Sequence, residues 1–419
     1  MEDLRASYRS GKKSVCLVLP TGSGKTVVAA AVVKATVARG RRALFVAHRV
    51  ELLGQSVTKL ETAGLTNLRL IRAEHDIGSG DSPVTVASIQ TLSTERWADK
   101  LPAADLVILD ECHRGVAVTY RRIVAAYPDA HILGLTATPQ RGDGVGLGEV
   151  FDGLVIGPTV RELTDLGHLA PCRVFAPTRT LSAGQLATSV TDAYHMHARA
   201  QRAVVFCVDV AHSKAVADEL NAAGVVAASI DGDMPDAVRA DILRRFRAGE
   251  IRVVSNVQIF VEGFDDPGVA VCILARKIGH VGVYLQCVGR ILRPAEGKTS
   301  ATVVDLCGSA LEYGAPDLER FYTLEGDGIR TSDRVAVRQC MTCGACYEPT
   351  ASLACPQCGG TRSKEIKSVT VVGENVVEMS GEDRLRVNLQ DAAARTQRSF
   401  GWVRKAHAKI VTAKLRWRP

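Results

Sequence analysis

Short apolar runs alternate with longer stretches of helical character through the first third of the chain. Five runs of Val, Ile, Leu and Ala have the length of buried strands: 15–19, 43–47, 84–87, 106–109 and 131–135. The segment from Val27 to Val37 is longer and rich in Ala and Val, as in a helix. This alternation predicts a parallel sheet with helices on both faces.

The same pattern returns between about residues 202 and 307. Its apolar runs lie at 203–208, 225–230, 251–255, 270–274 and 301–305. We therefore predict an α/β chain with two parallel-sheet domains in tandem, over residues 1–160 and 201–330. Pro171 and Pro177 indicate a linker region over residues 161–200.

The C-terminal part has a different character. A cysteine cluster predicts a small module over residues 335–362, and a basic tail follows over 363–419. From Thr361 to Pro419 there are thirteen Lys and Arg residues against six Asp and Glu, so this segment carries the whole net charge of +7. A polyanion such as nucleic acid is the partner that this charge suits, although a merely solvated tail would show it too.

The end of the tail has helical periodicity. Val403, Ala406, Ile410, Ala413 and Trp417 are spaced by three, four, three and four residues, which predicts one apolar face of a terminal amphipathic helix. Its basic residues are candidates for phosphate contacts: Arg404, Lys405 and Lys409.

Composition narrows the class of protein. Hydrophobic residues make up 46% of the 419 residues and charged residues 23%, as in globular proteins. The longest apolar runs, such as Val27 to Val33, are far shorter than the roughly 20 residues that span a bilayer. The first residues lack the pattern of a signal peptide. We expect a cytoplasmic protein with no membrane association, and its seven scattered cysteines fit a reducing compartment.

The segment after the first predicted strand has the chemistry of a phosphate-binding loop. Glycines let backbone N–H groups approach phosphate oxygens, a lysine adds a positive charge, and a hydroxyl can bind Mg²⁺. The residues are Thr21, Gly22, Ser23, Gly24, Lys25 and Thr26. The full pattern has a further glycine where this chain has Leu19. The strand–loop–helix context nevertheless predicts an ATP site.

A second motif follows the strand 106–109. Asp110, Glu111, Cys112 and His113 stand at its carboxyl end, where open α/β sheets place ligand chemistry. One carboxylate can hold magnesium and the next can orient the attacking water. The two motifs together predict ATP hydrolysis with Mg²⁺, bound by Thr26 and Asp110.

The second domain carries arginines instead of a phosphate loop. Gln286, Arg290 and Arg293 form one group, and arginines can neutralise charge that develops on a transferring phosphoryl group. An acidic turn over residues 262–267 precedes them. Either stretch alone is also compatible with an ordinary salt-bridged helix start.

The cysteine cluster has the spacing of a zinc site. Cys340, Cys343, Cys355 and Cys358 form two C-x-x-C pairs, which can supply four thiolates to a structural Zn²⁺. Cys346 is an alternative to Cys340. Four protein ligands would leave no open position for catalysis.

In order, these motifs resemble those of a superfamily 2 helicase of the DEAD/DEAH (DExH) type. Motif I matches at 19–26, Ia at 45–55, the next nucleic-acid motif at 86–92, II at 110–113, III at 136–139, IV at 204–209, V at 256–265 and VI at 286–293. In its finer detail, the sequence is similar to those of bacterial and phage-encoded DNA helicases of the RadD kind. The family's upstream adenine-reading glutamine has no counterpart, because the first glutamine here is Gln55.

The resemblance implies two RecA-like domains and a role for each motif residue. Lys25, Asp110, Glu111, Gln286, Arg290 and Arg293 would be catalytic, and Gly263 and Asp265 would lie near the nucleotide. His113, Thr136 and Thr138 would couple the ATP state to the second domain. His48, Arg49 and Thr91 would contact nucleic acid.

The expected function is an ATP-dependent DNA helicase or translocase acting on single-stranded or branched DNA, possible partners being replication or DNA repair proteins. A double-strand DNA translocase that does not separate strands, as in restriction motor subunits, is an alternative, and so is an RNA helicase. From a different class, a nucleotide-insensitive nucleic-acid clamp is supported only by the missing upstream glutamine.

Overall fold

The computed structural model describes most of the chain up to residue 325. The described ranges are 1–47, 50–73, 75–97, 99–114, 118–139, 146–257, 266–325, 338–339, 346–347, 370–373 and 376–379. They belong to two compact units, which comprise Met1–His168 with Glu319–Gly328 (unit 1) and Leu169–Leu318 with Ile329–Pro419 (unit 2).

Unit 1 is built on an eight-stranded sheet. Its strands are β1 Ser14–Val18, β2 Ala43–Ala47, β3 Leu68–Arg72, β4 His75–Ile77, β5 Val84–Ser88, β6 Leu106–Asp110, β7 His131–Thr136 and β8 Gly153–Ile156. They lie in the order β4-β3-β5-β2-β6-β7-β1-β8, and only β4 pairs antiparallel. Its helices are α1 Glu2–Arg9, α2 Lys25–Val37, α3 Val50–Thr62, α4 Ile89–Leu92, α5 Val118–Ala125 and α6 Val160–Asp165.

Alternate residues of β1 explain why helices cover both faces of this sheet. Val15 and Leu17 lie in one apolar cluster with residues of α1, α2 and α3. Cys16 and Val18 lie in another with residues of α4 and α5. Because successive side chains of a strand point to opposite faces, one strand of continuous apolar residues serves two cores.

Unit 2 has a seven-stranded sheet in the order β12-β13-β11-β14-β15-β9-β19. Its strands are β9 Cys172–Pro177, β11 Ala203–Phe206, β12 Ala227–Ile230, β13 Val253–Asn256, β14 Val271–Leu274, β15 Ala301–Asp305 and β19 Val376–Glu378. All pairs are parallel except β19 with β9. Its helices are α7 Val190–His197, α8 Val210–Ala222, α9 Asp236–Arg247, α10 Val281–Gly289 and α11 Ser309–Tyr313.

Short strands complete the described secondary structure. β10 (Gln185–Leu186) pairs parallel with β18 (Thr370–Val371), and β16 (Arg338–Gln339) pairs antiparallel with β17 (Cys346–Tyr347). No helix among the described ranges is both long and apolar enough to cross a bilayer.

The predicted α/β class and all ten predicted strands are confirmed, with ends shifted by one or two residues. Five further strands of the two main sheets were not predicted: β3, β4, β8, β9 and β19. The predicted linker region at 161–200 contains more structure than a linker. Its residues form α6, β9, β10 and α7, and β9 pairs with β15 of unit 2. Pro177 is the last residue of β9, and β19 pairs with the strand up to that residue. The proline therefore ends the strand but does not prevent its formation.

Candidate functional site

The phosphate-binding loop connects β1 to α2. Gly22 and Gly24 both have φ of +89°, a left-handed conformation that favours glycine. Ser23 closes the turn, since its N–H and its hydroxyl both donate to the Pro20 carbonyl, at 3.2 and 2.7 Å. Helix α2 begins at Lys25 with Gly24 as its N-cap, so the loop leads directly into the N-terminus of a helix. This arrangement suits an anion.

Leu19 shows how the loop forms without the first glycine of the full pattern. Its side chain lies against Gly157, where a Cβ atom would overlap it. Its carbonyl accepts a hydrogen bond from Lys25 Nζ at 3.4 Å. Leu19 therefore directly follows the last residue of β1, and the absence of a side chain at Gly157 leaves space for the Leu19 side chain.

Thr21 provides a polar atom that the described residues leave unsatisfied. Its side-chain oxygen is buried and has no hydrogen-bond partner among them. A buried hydroxyl without a partner carries a free-energy cost unless a ligand or water meets it. It lies in the loop that would hold phosphates, so the loop fits such a ligand.

Asp110 ends β6, and neighbouring groups shift the pKa of its carboxylate in opposite directions. Burial, then the neighbouring Glu111, raises its pKa to about 6, while Lys25 and, more weakly, Lys59 lower it. One Asp110 oxygen accepts the Glu111 N–H at 3.0 Å. The influence of Lys25 shows that the loop cation and this carboxylate act on one another. The Asp110 carboxylate is a hard oxygen ligand of the kind that Mg²⁺ prefers, and the binding of Mg²⁺ by Asp110 and Thr26 stays a prediction.

Glu111 has a strained backbone. Its φ is +50°, an unfavourable value for a residue with a side chain. This turn directs the chain from β6 into the 3₁₀ segment Cys112–Arg114. Strain of this kind clusters at functional sites.

His113 connects the acidic motif to the end of β7. Its Nδ1 lies 3.3 Å from a Glu111 carboxylate oxygen and 3.0 Å from Thr136 Oγ1. The Thr136 hydroxyl in turn donates to the Thr138 carbonyl at 2.7 Å and accepts the Thr138 N–H at 3.1 Å. Both threonines are buried. His113, Thr136 and Thr138 are therefore in one hydrogen-bonded chain, and their coupling of the ATP state to the second domain stays a prediction.

Unit 2 places its three predicted catalytic residues on and after α10. His280 caps this helix, with Nδ1 accepting the Gly282 N–H at 3.0 Å. Gln286 lies within it, Arg290 is its C-terminal cap, and both are buried. Arg293 lies in the following turn, where burial lowers the pKa of its guanidinium.

Thr91 is the only one of the predicted nucleic-acid contacts within the described residues. It is buried in α4, and its hydroxyl accepts the Ala73 N–H at 2.9 Å. The structure thus gives this side chain a partner inside unit 1, and a contact of Thr91 with nucleic acid stays a prediction.

Several predicted site residues lie outside the described residues: His48, Arg49, Gly263, Asp265, Cys340, Cys343, Cys355, Cys358, Arg404, Lys405 and Lys409. Within the described ranges, no group of three or more His, Cys, Asp or Glu side chains could hold a metal. The zinc site therefore stays a prediction from the sequence.

Sequence reasoning missed two lysines. Lys59 on α3 lowers the pKa of Asp110, although the two residues are distant in sequence. Lys298 lies five residues after Arg293 and donates to its carbonyl at 2.8 Å. No sequence pattern predicts the electrostatic influence of Lys59 or the hydrogen bond of Lys298, because each depends on how separate segments pack.

Two family models match the chain. The first, described as the res subunit of type III restriction enzymes, matches residues 1–141, and the helicase conserved C-terminal domain matches residues 186–295. The matches include the phosphate loop and acidic motif of unit 1 and the arginines of unit 2.

The chain is also similar to known proteins over most of its length. A 51.5 kDa protein of a Lactococcus phage is 29% identical over 94% of this chain and 87% of its own length. The protein IRC3 of Saccharomyces cerevisiae, described as an ATP-dependent helicase, is 25% identical over 78% of this chain but only 53% of its own length. A fragment of an HsdR-type subunit of a type I restriction enzyme from Vibrio vulnificus has the same fold, with a TM-score of 0.58 and 24% identity over 74% of this chain and 63% of the fragment.

The two parallel-sheet units, with a phosphate loop and DExH motif in the first and motif VI in the second, define an ATP-dependent motor of the helicase class. The chain belongs to the superfamily 2 helicases.

Proposed function

We propose that this chain couples the hydrolysis of Mg-ATP to movement along DNA and to the separation of its strands. The observation that carries the proposal is a chain of contacts from the acidic motif to the end of β7. A Glu111 carboxylate oxygen lies 3.3 Å from His113 Nδ1, and hydrogen bonds continue from His113 to Thr136 and from Thr136 to Thr138. A simple nucleotide-binding site needs no such link between the residue that orients water and the end of another strand. A motor needs one, because the state of the nucleotide must change contacts elsewhere.

The residues of unit 1 divide the chemistry among them. Lys25 and the N–H groups of the loop hold the phosphates, and Thr26 and Asp110 hold magnesium, which supplies Lewis-acid stabilisation of the phosphate oxygens when bound. Glu111 orients or deprotonates the attacking water. Its neighbour His113 contacts the same carboxylate, so a change at Glu111 reaches Thr136 directly.

The residues of unit 2 act on the developing charge. Arg290 and Arg293 stabilise negative charge on the phosphoryl group, and Gln286 assists them. Arginine suits this task because its charge persists even where burial lowers its pKa, as at Arg293. Such arginines contribute about 10³–10⁵ in rate in other phosphoryl-transfer enzymes.

DNA is supported as the track by the family matched in unit 1. Restriction enzymes act on DNA, and residues 1–141 match a restriction-enzyme subunit. The same match favours a second candidate, a motor that translocates on duplex DNA without separating its strands. The resemblance of the fold to an HsdR-type subunit accords with this second candidate.

The C-terminal segment has a proposed part in holding DNA. Cys340, Cys343, Cys355 and Cys358 would bind a structural zinc, and the basic residues that follow would contact phosphates. A Cys355→Ser variant should lose zinc and bind DNA more weakly, while ATP hydrolysis without DNA remains. Zinc content is measured on the purified protein, and an unchanged content would refute the assignment.

The first experiment is ATP hydrolysis by the purified chain, alone and with single-stranded DNA, duplex DNA or RNA, against a Lys25→Ala control. We expect DNA to stimulate turnover that depends on Lys25. Stimulation by RNA alone would exclude DNA as the track, and no Lys25-dependent turnover with any polymer would refute the motor.

A second assay separates the two DNA candidates. Strand displacement from a forked duplex reports unwinding, whereas displacement of a third strand from a triplex reports translocation on duplex DNA. We expect both to require ATP. Triplex displacement without strand displacement would favour the translocase.

A further inference from the structure

We propose that Lys298 is a positioning residue for Arg293, holding the turn that follows α10 against the segment that follows motif V. The proposal rests on the proposed role of Arg293 in ATP hydrolysis. Lys298 belongs to none of the helicase motifs. Its hydrogen bonds with described residues go to backbone carbonyls, of which only that of Arg293 belongs to a residue that we assign to the chemistry.

The Lys298 ammonium group bridges two separate segments. It donates to the carbonyl of Arg293 at 2.8 Å, to that of Val269 at 2.7 Å and to that of Pro267 at 2.9 Å. An ammonium group has three N–H bonds, so all of them are used. Hydrogen bonds from a charged donor are stronger than those between neutral groups. One side chain therefore fixes the end of motif VI to residues just after motif V.

The segment on the motif V side is itself anchored. Asp266 is 8% exposed, and its carboxylate accepts two hydrogen bonds from the Arg202 guanidinium, at 2.6 and 3.2 Å. The same carboxylate accepts the Gly268 N–H at 3.0 Å. Arg202 also donates to the Phe246 carbonyl at 3.0 Å. A Cβ atom at Gly268 would overlap the Arg202 guanidinium, so the backbone of this segment lies directly against Arg202.

The turn that carries Arg293 depends on such an anchor. Helix α10 ends at Gly289, four residues earlier, so helical hydrogen bonds do not hold Arg293. Ala170 N–H donates to the Leu292 carbonyl at 2.6 Å, and Lys298 holds the next carbonyl. Displacement of a reacting or stabilising group by about 1 Å can cost about 100-fold in rate. Loss of the Lys298 contacts should therefore reduce turnover through Arg293.

The charge of Lys298 gives the arrangement a pH dependence. Burial lowers the pKa of Lys298 to about 8; Asp266 and Cys172 raise it, whereas Arg202 and Arg293 lower it. Above that pH the amine has two N–H bonds for three carbonyls, and its lone pair faces the third. We expect kcat to fall as pH rises through about 8.

The central test compares Lys298→Met, which retains most of the length of the side chain but cannot donate a hydrogen bond, with Lys214→Met. Lys214 has an exposed side chain in the same unit and only a surface ion pair with Asp231, 3.6 Å away. We expect Lys298→Met to lower kcat about 10- to 100-fold with the KM for ATP changed less than about threefold. Lys214→Met should behave as the unsubstituted chain.

A double-mutant cycle with Arg293→Ala shows whether Lys298 acts through Arg293. In the Arg293→Ala background, Lys298→Met should cause no further loss of kcat, because the guanidinium that it positions is gone. Arg293→Ala should also lack the decrease in kcat above pH 8. If the losses of kcat in the two single variants multiplied in the double variant, the proposal would be overturned. If Lys298→Met does not fold, persistence of the alkaline decrease in Arg293→Ala would overturn it equally.

Hydrogen exchange without nucleotide tests the contacts independently of turnover. Lys298→Met should accelerate exchange in peptides covering 266–271 and 290–298 and leave those covering β11 unchanged. If neither segment changes, the proposal fails whatever the activity. If both change but the unsubstituted chain does not hydrolyse ATP, the contacts stand and the proposed function fails instead.

Discussion

Each unit ends a buried parallel strand of its sheet with an aspartate, and the two aspartates have opposite surroundings. Asp110 ends β6 in unit 1 and Asp305 ends β15 in unit 2. Burial raises the pKa of both to about 6. Asp305 has no exposed surface and accepts three backbone N–H groups, from Cys307 at 3.1 Å, Gly308 at 3.0 Å and Ala310 at 2.6 Å. Among the described residues, Asp110 accepts one, from Glu111.

The difference shows that burial at a strand end does not by itself mark a functional carboxylate. The backbone around Asp305 satisfies its lone pairs, so the side chain stabilises the start of α11. Asp110 retains lone pairs that the backbone does not occupy, and the cations near it are side chains. The number of backbone donors therefore separates a structural aspartate from one that can receive a metal.

The largest expected effect is on Asp110. Asp110→Asn should reduce ATP turnover by at least about 100-fold, because metal stabilisation of transition-state charge contributes several kcal/mol. The free energy of unfolding should change little, since only one backbone N–H loses a charged acceptor. Turnover is measured at saturating DNA and magnesium. Activity within a fewfold of the unsubstituted chain would show that Asp110 does not bind the metal.

Asp305→Asn is the matched change in unit 2 and should have the opposite result. The amide NH₂ group would face an N–H donor, Cys307, Gly308 or Ala310, which should cost about 1–3 kcal/mol of stability. The kcat of the folded protein should stay within about twofold. Hydrogen exchange of β15 amides reports the loss in unit 2. A variant that keeps its stability but loses turnover would reverse the roles assigned to the two aspartates.

The sequence predicted Asp110 but not Asp305 because only one of them belongs to a recognisable motif. Nine of the ten predicted strands could be read because they are buried almost throughout and so are rich in apolar residues; β12 is only partly buried but consists largely of Ala and Ile. Strands β3, β4 and β8 include exposed or half-exposed residues, which break that signal. The prolines near strand β9 favour a linker, whereas its sheet partner β15 lies more than a hundred residues later in the sequence.

The candidate site divides in the same way. Residues within one motif, such as Lys25 and Glu111, could be predicted because local spacing defines them. The contacts of Lys298 and the donors to Asp305 could not, because they arise where separate segments meet.

Gly308 sharpens the comparison at the backbone level. It donates to Asp305 and has φ of +84°, and a Cβ atom there would meet Thr180 Cα at 2.8 Å. Gly308→Ala should destabilise unit 2 by about 1–3 kcal/mol, from strain and overlap together. Gly249→Ala is the control, because Gly249 has φ of +78° but open space around its Cβ position. Equal losses in the two variants would mean that overlap with Thr180 contributes nothing.

Glu111 is the counterpart of Gly308 in unit 1, and the smallest effect on the free energy of unfolding is expected there. Both residues follow an aspartate at a strand end with positive φ, but unit 1 uses a residue with a side chain, at +50°. Glu111→Ala and Glu111→Gly both remove the carboxylate, and both should lose turnover. They differ in strain: a side chain in this conformation costs roughly 1–2 kcal/mol, whereas the flexibility of glycine in the unfolded chain offsets about 0.5–1 kcal/mol. Glu111→Gly should therefore be up to about 1 kcal/mol more stable than Glu111→Ala in urea denaturation. If Glu111→Ala proved the more stable variant, the turn would carry no strain, and the contrast between a strained functional strand end and a relaxed structural one would not hold.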